Sequence, residues 1–155
     1  MVDRLKDKVA IITGGSTGIG EGIARLFISE GAKVTICGRR EELLEKAAKK
    51  LGPDDVLAIK CDVTRSDQVK EMVSKTVQRF GKLDILVNNV GKNPAREFTL
   101  EETTEDEWDE YMGINAKGSW LASKYALPEM KKAGGGSIIM ISSISAVIGQ
   151  KGVGP

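Results

Sequence analysis

Apolar residues recur along this chain in short runs that alternate with helical patterns. Five runs rich in β-branched residues predict strands: "VAIITG" from Val9, "KVTICG" from Lys33, "VLAIKCDV" from Val56, "LDILVNNV" from Leu83 and "SIIMISS" from Ser137. Their nearly continuous apolarity indicates strands covered on both faces, as in a parallel sheet. Between the runs, apolar residues return every three or four positions, most clearly in "VKEMVSKTVQRF" from Val69. This spacing predicts helices with one stripe that faces the core.

Glycine and proline mark where these elements end. Gly31, Gly52 and Gly81 each follow a helical pattern, where a left-handed backbone costs glycine least. Thr104 and Glu107 have the spacing of a capping box before the fourth helix, and Pro128 is expected to end or kink that helix. Strand and helix therefore alternate along the whole chain. The pattern predicts one α/β domain over residues 1–155, a Rossmann-like doubly wound parallel sheet with helices on both faces.

Composition and charge exclude several kinds of partner. The 155 residues suit one domain, and 23 Lys and Arg against 22 Asp and Glu leave a net charge of +1 that is spread along the chain. This balance indicates neither a nucleic-acid partner nor a membrane partner. No apolar run approaches the roughly 18 residues of a membrane span, so a cytoplasmic protein is expected.

Two residue types limit the chemistry. Cys37 and Cys61 lie in apolar runs, which predicts buried thiols in a reducing compartment more than a disulfide framework. The chain contains no histidine, so zinc chemistry is not expected and no metal site is assigned.

The stretch "TGGSTGIG" from Thr13 places four glycines directly after the first strand. It opens a helix whose predicted core-facing stripe is Ile19, Ile23, Leu26 and Phe27. Glycines in such a turn let a phosphate approach the backbone N–H groups at the start of the helix. A tight turn without a ligand is the alternative, but the position inside an alternating unit favours dinucleotide binding. No Gly-Lys-Ser/Thr follows, which argues against a P-loop.

The end of the second strand, "ICGRREE", bears on which dinucleotide binds. An NAD site uses a carboxylate there to accept a hydrogen bond from the ribose 2′-OH, whereas a 2′-phosphate is bound by arginine. Gly38 stands in the carboxylate's place, and Arg39 and Arg40 follow. We therefore favour NADP(H), with NAD(H) as the alternative. The arginines could also start a solvated helix, and Ser16 and Thr17 add no charge in the glycine loop.

Five motifs occur in one order along the chain: "TGGSTGIG", "CDV" at 61–63, "NNVG" at 88–91, "GIN" ending at Asn115, and "SIIMISS" ending at Ser143. In this order and spacing the chain resembles the short-chain dehydrogenase/reductase family over its whole length. The resemblance implies an oxidoreductase that transfers hydride between a nicotinamide cofactor and a ketone or secondary alcohol. It also implies a small-molecule carbonyl or alcohol substrate and a homo-oligomeric parent protein, a dimer or a tetramer.

The resemblance also implies roles for individual residues. Asn115 would organise a water relay, and Ser143, with Ser142 and Ser145 nearby, would hydrogen-bond the reacting oxygen. Without the family, Asn115 would be read as a solvent-facing helical residue, and for Asp62 a solvated strand end is the alternative. Val90 stands where the family usually has alanine. The implied cofactor-binding residues, from the pyrophosphate turn to the adenine and ribose contacts, are Gly14, Ser16, Thr17, Gly18, Ile19, Gly20, Arg39, Arg40, Asp62, Val63, Asn89 and Gly91.

The family's general acid/base is a tyrosine followed four residues later by a lysine. Here the fourth residue after Tyr111 is Asn115 and the fourth after Tyr125 is Glu129, so neither tyrosine has the lysine. In the family the tyrosine typically lies 13 residues after the serine. The thirteenth position after Ser143 is 156, one past "GQKGVGP". We therefore expect residues 1–155 to be the cofactor-binding front of a longer enzyme and inactive alone. They would carry strands one to five of seven, with "IIMI" as an exposed apolar edge.

Two other functions compete with this one. A non-catalytic dinucleotide-binding or interaction module is the alternative if 155 residues are the whole protein. A methyltransferase built on a similar sheet would need an acidic residue at the end of the first strand, where this chain has Thr13-Gly14.

Overall fold

The computed structural model describes residues 3–93 and 99–148, so the segment "GQKGVGP" lies outside the described residues. The strands are β1 (Val9–Thr13), β2 (Lys33–Gly38), β3 (Val56–Lys60), β4 (Ile85–Asn88) and β5 (Ser137–Met140). The α-helices are α1 (Gly18–Ser29), α2 (Glu41–Leu51), α3 (Ser66–Phe80), α4 (Glu105–Met112) and α5 (Gly118–Lys132). A π-helical turn, Gly113–Lys117, joins α4 to α5.

All strand pairs are parallel, and their order in the sheet is β3-β2-β1-β4-β5. The chain moves outward from β1 in one direction through β2 and β3, and then returns to β1's other side with β4. The loops after β1 and β4 therefore separate at the carboxyl edge, where sheets of this kind bind ligands. This topology confirms the predicted fold class.

The sheet is covered on both faces by helices, as its apolar strands predict. On one face Ile11 and Leu86 pack with residues of α3 and α5. On the other face Ile12 and Ile36 pack with residues of α1 and α2. The alternation of Ile11 and Ile12 follows from the twofold period of a strand, which sends neighbouring side chains to opposite faces.

The predicted stripe of α1 is partly wrong. Ile19 and Leu26 are exposed, and the buried residues of the helix are Gly20 and Ala24. Ile23 and Phe27 are partly buried and pack against the core. Small side chains let the helix axis approach the sheet closely, so the larger residues beside them lie at the edges of the contact.

Helix ends agree with the sequence except at Pro128. Gly31, Gly52 and Gly81 have positive φ angles of +89°, +104° and +86°. The Thr104 hydroxyl accepts the Glu107 N–H at 3.2 Å, and the Glu107 carboxylate accepts the Thr104 N–H at 3.0 Å, which confirms the capping box. Pro128, however, lies inside α5, which continues to Lys132. Ala126 and Met130, buried on either side of it, anchor the helix to the core against the local cost of proline.

The outer end of the sheet is apolar and uncovered. Ile138, Ile139 and Met140 are exposed on β5, which confirms the expected apolar edge. The strand is shorter than the run that predicted it, because pairing with β4 ends where Ile141 donates to the Asn88 carbonyl oxygen. Among the described residues, no helix has the length and apolarity needed to cross a bilayer.

Candidate dinucleotide-binding site

A cleft of about 410 Å³ opens at the carboxyl edge of the sheet, within the size range of small-molecule sites. The loops that follow four neighbouring strands all contribute to it. Of the predicted residues, the cleft brings together Gly14, Ser16, Thr17, Arg39, Arg40, Asp62, Val63, Asn89 and Gly91. It is also lined by Gly38, Cys61, Val90, Lys92 and Ile114, which were not assigned roles. Gly18, Ile19, Gly20, Asn115 and Ser143 are not part of its lining.

At two of its four glycines the glycine loop leaves no room for a side chain. A Cβ atom on Gly15 would lie 2.6 Å from the Ile36 side chain, and one on Gly20 would lie 2.3 Å from the Gly14 carbonyl oxygen. Gly14 and Gly18 have φ angles of +68° and +57°. Thr17, the N-cap of α1, makes no side-chain capping bond within the described part of the chain, which leaves first-turn N–H groups for an anion. A pyrophosphate fits this loop.

Thr13 and Asn89 join the glycine loop to the loop after β4. The Thr13 hydroxyl accepts hydrogen bonds from the Asn89 N–H at 2.9 Å and the Val90 N–H at 3.1 Å. In return the Asn89 side-chain amide donates to the Thr13 carbonyl oxygen at 2.9 Å. These bonds hold the two walls of the cleft at a set separation. Thr13 was missed as a site residue, although a buried hydroxyl at the end of an apolar strand signals such a bond.

Asp62 is oriented by the turn that follows β3. Its Oδ1 atom accepts hydrogen bonds from the Thr64 N–H at 2.9 Å and the Thr64 hydroxyl at 2.8 Å. Its own N–H donates to the Gln68 side chain at 2.8 Å. A carboxylate fixed at one oxygen can present the other to the exocyclic amine of adenine, because a carboxylate accepts several hydrogen bonds.

The cleft carries an excess of positive charge. Arg39, Arg40 and Lys92 line it together with one carboxylate, Asp62. Arg39 and Arg40 are exposed, and neither forms an ion pair with residues 3–93 or 99–148. Guanidinium groups without a carboxylate partner remain available for a phosphate, which they bind through paired N–H donors.

Two thiols lie close together at this edge of the sheet, and one of them, Cys61, lines the cleft. Cys37 and Cys61 are both buried, which confirms the predicted burial. The neighbouring Cys61 thiol and burial raise the pKa of Cys37, and the neighbouring Cys37 thiol lowers the pKa of Cys61.

The side-chain amide of Asn115 is occupied by the backbone of Lys92. Its Oδ1 accepts the Lys92 N–H at 2.8 Å, and its Nδ2 donates to the Lys92 carbonyl oxygen at 3.0 Å. Asn115 therefore does not simply face solvent, and its amide fixes the loop that forms the cleft wall. Asn115 lies in the π-helical turn that precedes Gly118. A Cβ atom on Gly118 would lie 2.8 Å from the Val63 side chain. Such turns often occur at functional sites.

The sequence model of one protein family, described as short chain dehydrogenase, matches residues 8–155. The chain belongs to the short-chain dehydrogenase family. It is 39% identical over 153 residues to an uncharacterized oxidoreductase of Mycobacterium bovis. These residues are 98% of this chain and 61% of the relative.

Two further relatives extend the comparison. An uncharacterized oxidoreductase of Staphylococcus aureus is 40% identical over 141 residues, which are 91% of this chain and 60% of the relative. The L-fucose dehydrogenase of Bos taurus is 41% identical over 150 residues, which are 97% of this chain and 54% of that enzyme. This short-chain dehydrogenase chain thus spans between 54% and 61% of the length of the three relatives.

In this member of the family, Ser143 lies beyond the end of β5 rather than on it. Its Oγ accepts the Ser145 N–H at 3.2 Å and caps the short 3₁₀ turn Ile144–Ala146. The pattern of the run "SIIMISS" could not reveal this, because strand pairing stops three residues earlier. The role of Ser143 toward a substrate stays a prediction.

Proposed function

We propose that this chain binds NADP(H) in the cleft and forms the cofactor-binding part of an oxidoreductase. The enzyme would transfer hydride between the nicotinamide and a ketone or secondary alcohol. The observation that carries the proposal is the convergence of the glycine loop, Arg39, Asp62 and Asn89 on one cleft at the edge of the sheet. Each group suits one part of a dinucleotide, and the family membership supports use of a nicotinamide cofactor.

The preference for NADP(H) over NAD(H) rests on the end of β2. Gly38 offers no carboxylate to the ribose 2′-OH, and the next two residues are arginines that line the cleft. A 2′-phosphate would be attracted by Arg39 and Arg40, whereas a 2′-OH would find no charged acceptor at Gly38.

The bound nicotinamide would supply the hydride, and the residues of this chain would place it. The glycine loop would hold the pyrophosphate, Asp62 and Val63 the adenine, and Gly91 would leave room for the ribose. Asn115 and Ser143 would serve the reacting oxygen and its proton path. Within residues 1–155 neither Tyr111 nor Tyr125 is followed four residues later by lysine. We therefore expect this chain to bind the dinucleotide without reducing a carbonyl.

The substrate class proposed is a small carbonyl or alcohol compound. The bovine relative is named L-fucose dehydrogenase, so a sugar with a free secondary hydroxyl is a sensible first compound to test.

Titration calorimetry of the 155-residue chain tests the proposed function. NADPH is expected to bind, and NADH to bind at least tenfold more weakly, since a charge-assisted hydrogen bond is worth about 1.5 to 3 kcal/mol. Equal affinities would remove the NADP(H) preference, and absence of binding by both would contradict the proposal. A parallel assay with NADPH and a panel of ketones should show no turnover above background.

We also propose that the parent protein is a homo-oligomer. Support comes from an exposed stripe along α4 and α5 formed by Trp108, Met112, Trp120 and Leu127. Residues 101–110 before and within α4 carry seven carboxylates, whereas the exposed basic residues Lys117, Lys124 and Lys131 follow. An antiparallel pair of these helices about a twofold axis would place acidic ends against basic ends.

A reducing compartment such as the cytoplasm is the location we propose. The two buried free thiols support it, because such a pair would be at risk of oxidation elsewhere.

A further inference from the structure

Lys92 is held to the α4 region by both its backbone and its side chain. Asn115 binds the Lys92 N–H and carbonyl groups, at 2.8 and 3.0 Å. The Lys92 ammonium lies 2.5 Å from a carboxylate oxygen of Glu110 and 5.4 Å from the centre of the Tyr111 ring. Neither Lys92 nor Glu110 was assigned a role from the sequence, and the function proposed above uses neither of these side-chain contacts.

The position of Lys92 in the cleft makes these contacts relevant to a ligand. If the 2′-phosphate binds at Arg39 after β2 and the pyrophosphate at the loop after β1, the rest of the dinucleotide must extend toward β4. There the wall of the cleft is formed by Asn89, Gly91 and Lys92. The placement of Lys92 therefore bears on the nicotinamide half of the ligand and leaves the adenine half untouched.

We propose that Lys92 and Glu110 are a positioning pair, which sets the cleft wall at the nicotinamide end. The inference rests on the proposed dinucleotide function. Asn115 fixes the backbone of residue 92 to the π-helical turn, and Glu110 fixes its side chain to the last full turn of α4. Two attachments to neighbouring turns restrain both translation and rotation of the loop, which a single attachment cannot do.

The partial exposure of the pair defines what it can and cannot do. The Lys92 and Glu110 side chains are 35% and 47% exposed, so the ion pair adds little to the stability of the fold. Its expected effect is on the geometry of one loop. A change at Glu110 should therefore alter binding of the whole dinucleotide and leave thermal unfolding nearly unchanged.

Glu110→Gln gives the sharpest test, because positioning and simple electrostatics predict opposite changes in the Kd for NADPH. Glu110 does not line the cleft, and loss of its negative charge would by field effects alone strengthen binding of any anionic ligand. Positioning predicts instead that the Kd for NADPH rises about two- to fivefold. The Kd for adenosine 2′,5′-bisphosphate, which occupies only the adenine half, should stay unchanged or fall slightly.

Controls separate this effect from general damage. Glu129→Gln removes a carboxylate that pairs with Lys132 at the other end of α5, and it should change neither Kd. Lys92→Arg should keep NADPH binding close to that of the unmodified chain, because arginine can also pair with Glu110. Amide hydrogen exchange at Lys92, measured without ligand, should be faster in Glu110→Gln than in Glu129→Gln.

The outcomes distinguish this inference from the proposed function. If the unmodified chain binds no NADPH, the proposed function fails, and the hydrogen-exchange result still decides whether Glu110 restrains Lys92. If the chain binds NADPH but Glu110→Gln binds it as well or better, or weakens both ligands equally, the positioning pair is wrong.

Discussion

A methyl group on Gly20 would lie 2.3 Å from the carbonyl oxygen of Gly14, whereas one on Gly22, in the same helix, would meet nothing within 4 Å. The first turn of α1 is therefore pressed against the start of the glycine loop. This contact sets the shape of the loop, so the glycine at position 20 affects the cleft without lining it.

The two glycines make a matched pair for the first prediction. Gly20→Ala should lower the free energy of unfolding by about 1 to 3 kcal/mol, because the clash is with backbone that cannot move aside cheaply. Gly22→Ala should raise it by up to about 1 kcal/mol, since alanine restricts the unfolded chain and favours helix. Urea denaturation measures both, and equal effects of the two substitutions would show that the loop is not packed as described.

The second prediction concerns Arg39. Arg39→Ala should weaken NADPH binding by about 1.5 to 3 kcal/mol, roughly ten- to a hundredfold, and affect NADH little, because only NADPH carries the 2′-phosphate. Calorimetry with both cofactors measures the difference. Arg65→Ala is the control, since Arg65 is an exposed arginine that pairs with Asp67 and does not line the cleft. A loss of equal size for both cofactors would show that Arg39 does not distinguish them.

Gly38 allows the converse experiment as the third prediction. A Cβ atom there would lie 3.8 Å from the Ser16 hydroxyl and 4.0 Å from Leu44, so a side chain has room. Gly38→Asp should weaken the binding of NADPH by at least about tenfold, because the carboxylate repels the 2′-phosphate. It should strengthen the binding of NADH, because the carboxylate accepts a hydrogen bond from the 2′-OH. Gly38→Asn introduces a side chain similar in shape to aspartate but uncharged, so it should weaken the binding of NADPH less. A preference for NADPH that survives Gly38→Asp would place the 2′-phosphate elsewhere.

The fourth prediction is a pH dependence at the opposite edge of the sheet. Burial raises the pKa of Asp84, but the Val9 N–H at 2.9 Å, Lys82 at 3.0 Å and Lys8 at 3.6 Å outweigh it. The net pKa lies below its ordinary value of 3.8. A lowered pKa in the folded state stabilises the fold at pH above the ordinary value, and this contribution is lost as pH falls through the folded pKa.

Asp84→Asn should therefore lower the free energy of unfolding by about 1.5 to 3 kcal/mol at pH 7, which is the range for hydrogen bonds to a charged group. The difference from the unmodified chain should shrink as pH falls below 3.8. Thermal unfolding between pH 7 and pH 2.5 measures this convergence. A difference that stays constant over the range would mean that the charge of Asp84 is not what stabilises the fold.

The fifth prediction addresses the exposed stripe on α4 and α5. Trp120 is 55% exposed, and Trp120→Glu should shift the parent protein toward smaller species in sedimentation equilibrium, because it places a charge in an apolar contact. Lys75→Glu on α3, outside the stripe, is the control and should not shift it. An unchanged oligomer, or a monomeric parent protein, would contradict the proposed interface.

The amino-acid sequence was enough to predict the alternation of strands and helices, the parallel sheet and the position of the glycine loop. These follow from local rules, because burial on both faces makes each strand apolar and a left-handed turn selects glycine at positions such as 31 and 81. Residues that follow the strands were also expected to lie together, because the carboxyl ends of parallel strands meet at one edge, and the family resemblance assigned roles to several of them. Nine of the assigned residues line one cleft for this reason.

Contacts between distant parts of the chain could be identified only from the folded structure. Asn115 binds the backbone of a residue 23 positions away, and Asn89 binds Thr13 and Gly14 from 75 or more positions away. Such bonds leave no periodic signal in the sequence. The continuation of α5 through Pro128 and the early end of β5 before Ser143 have the same origin, because packing and strand pairing outweigh the local preferences that a sequence displays.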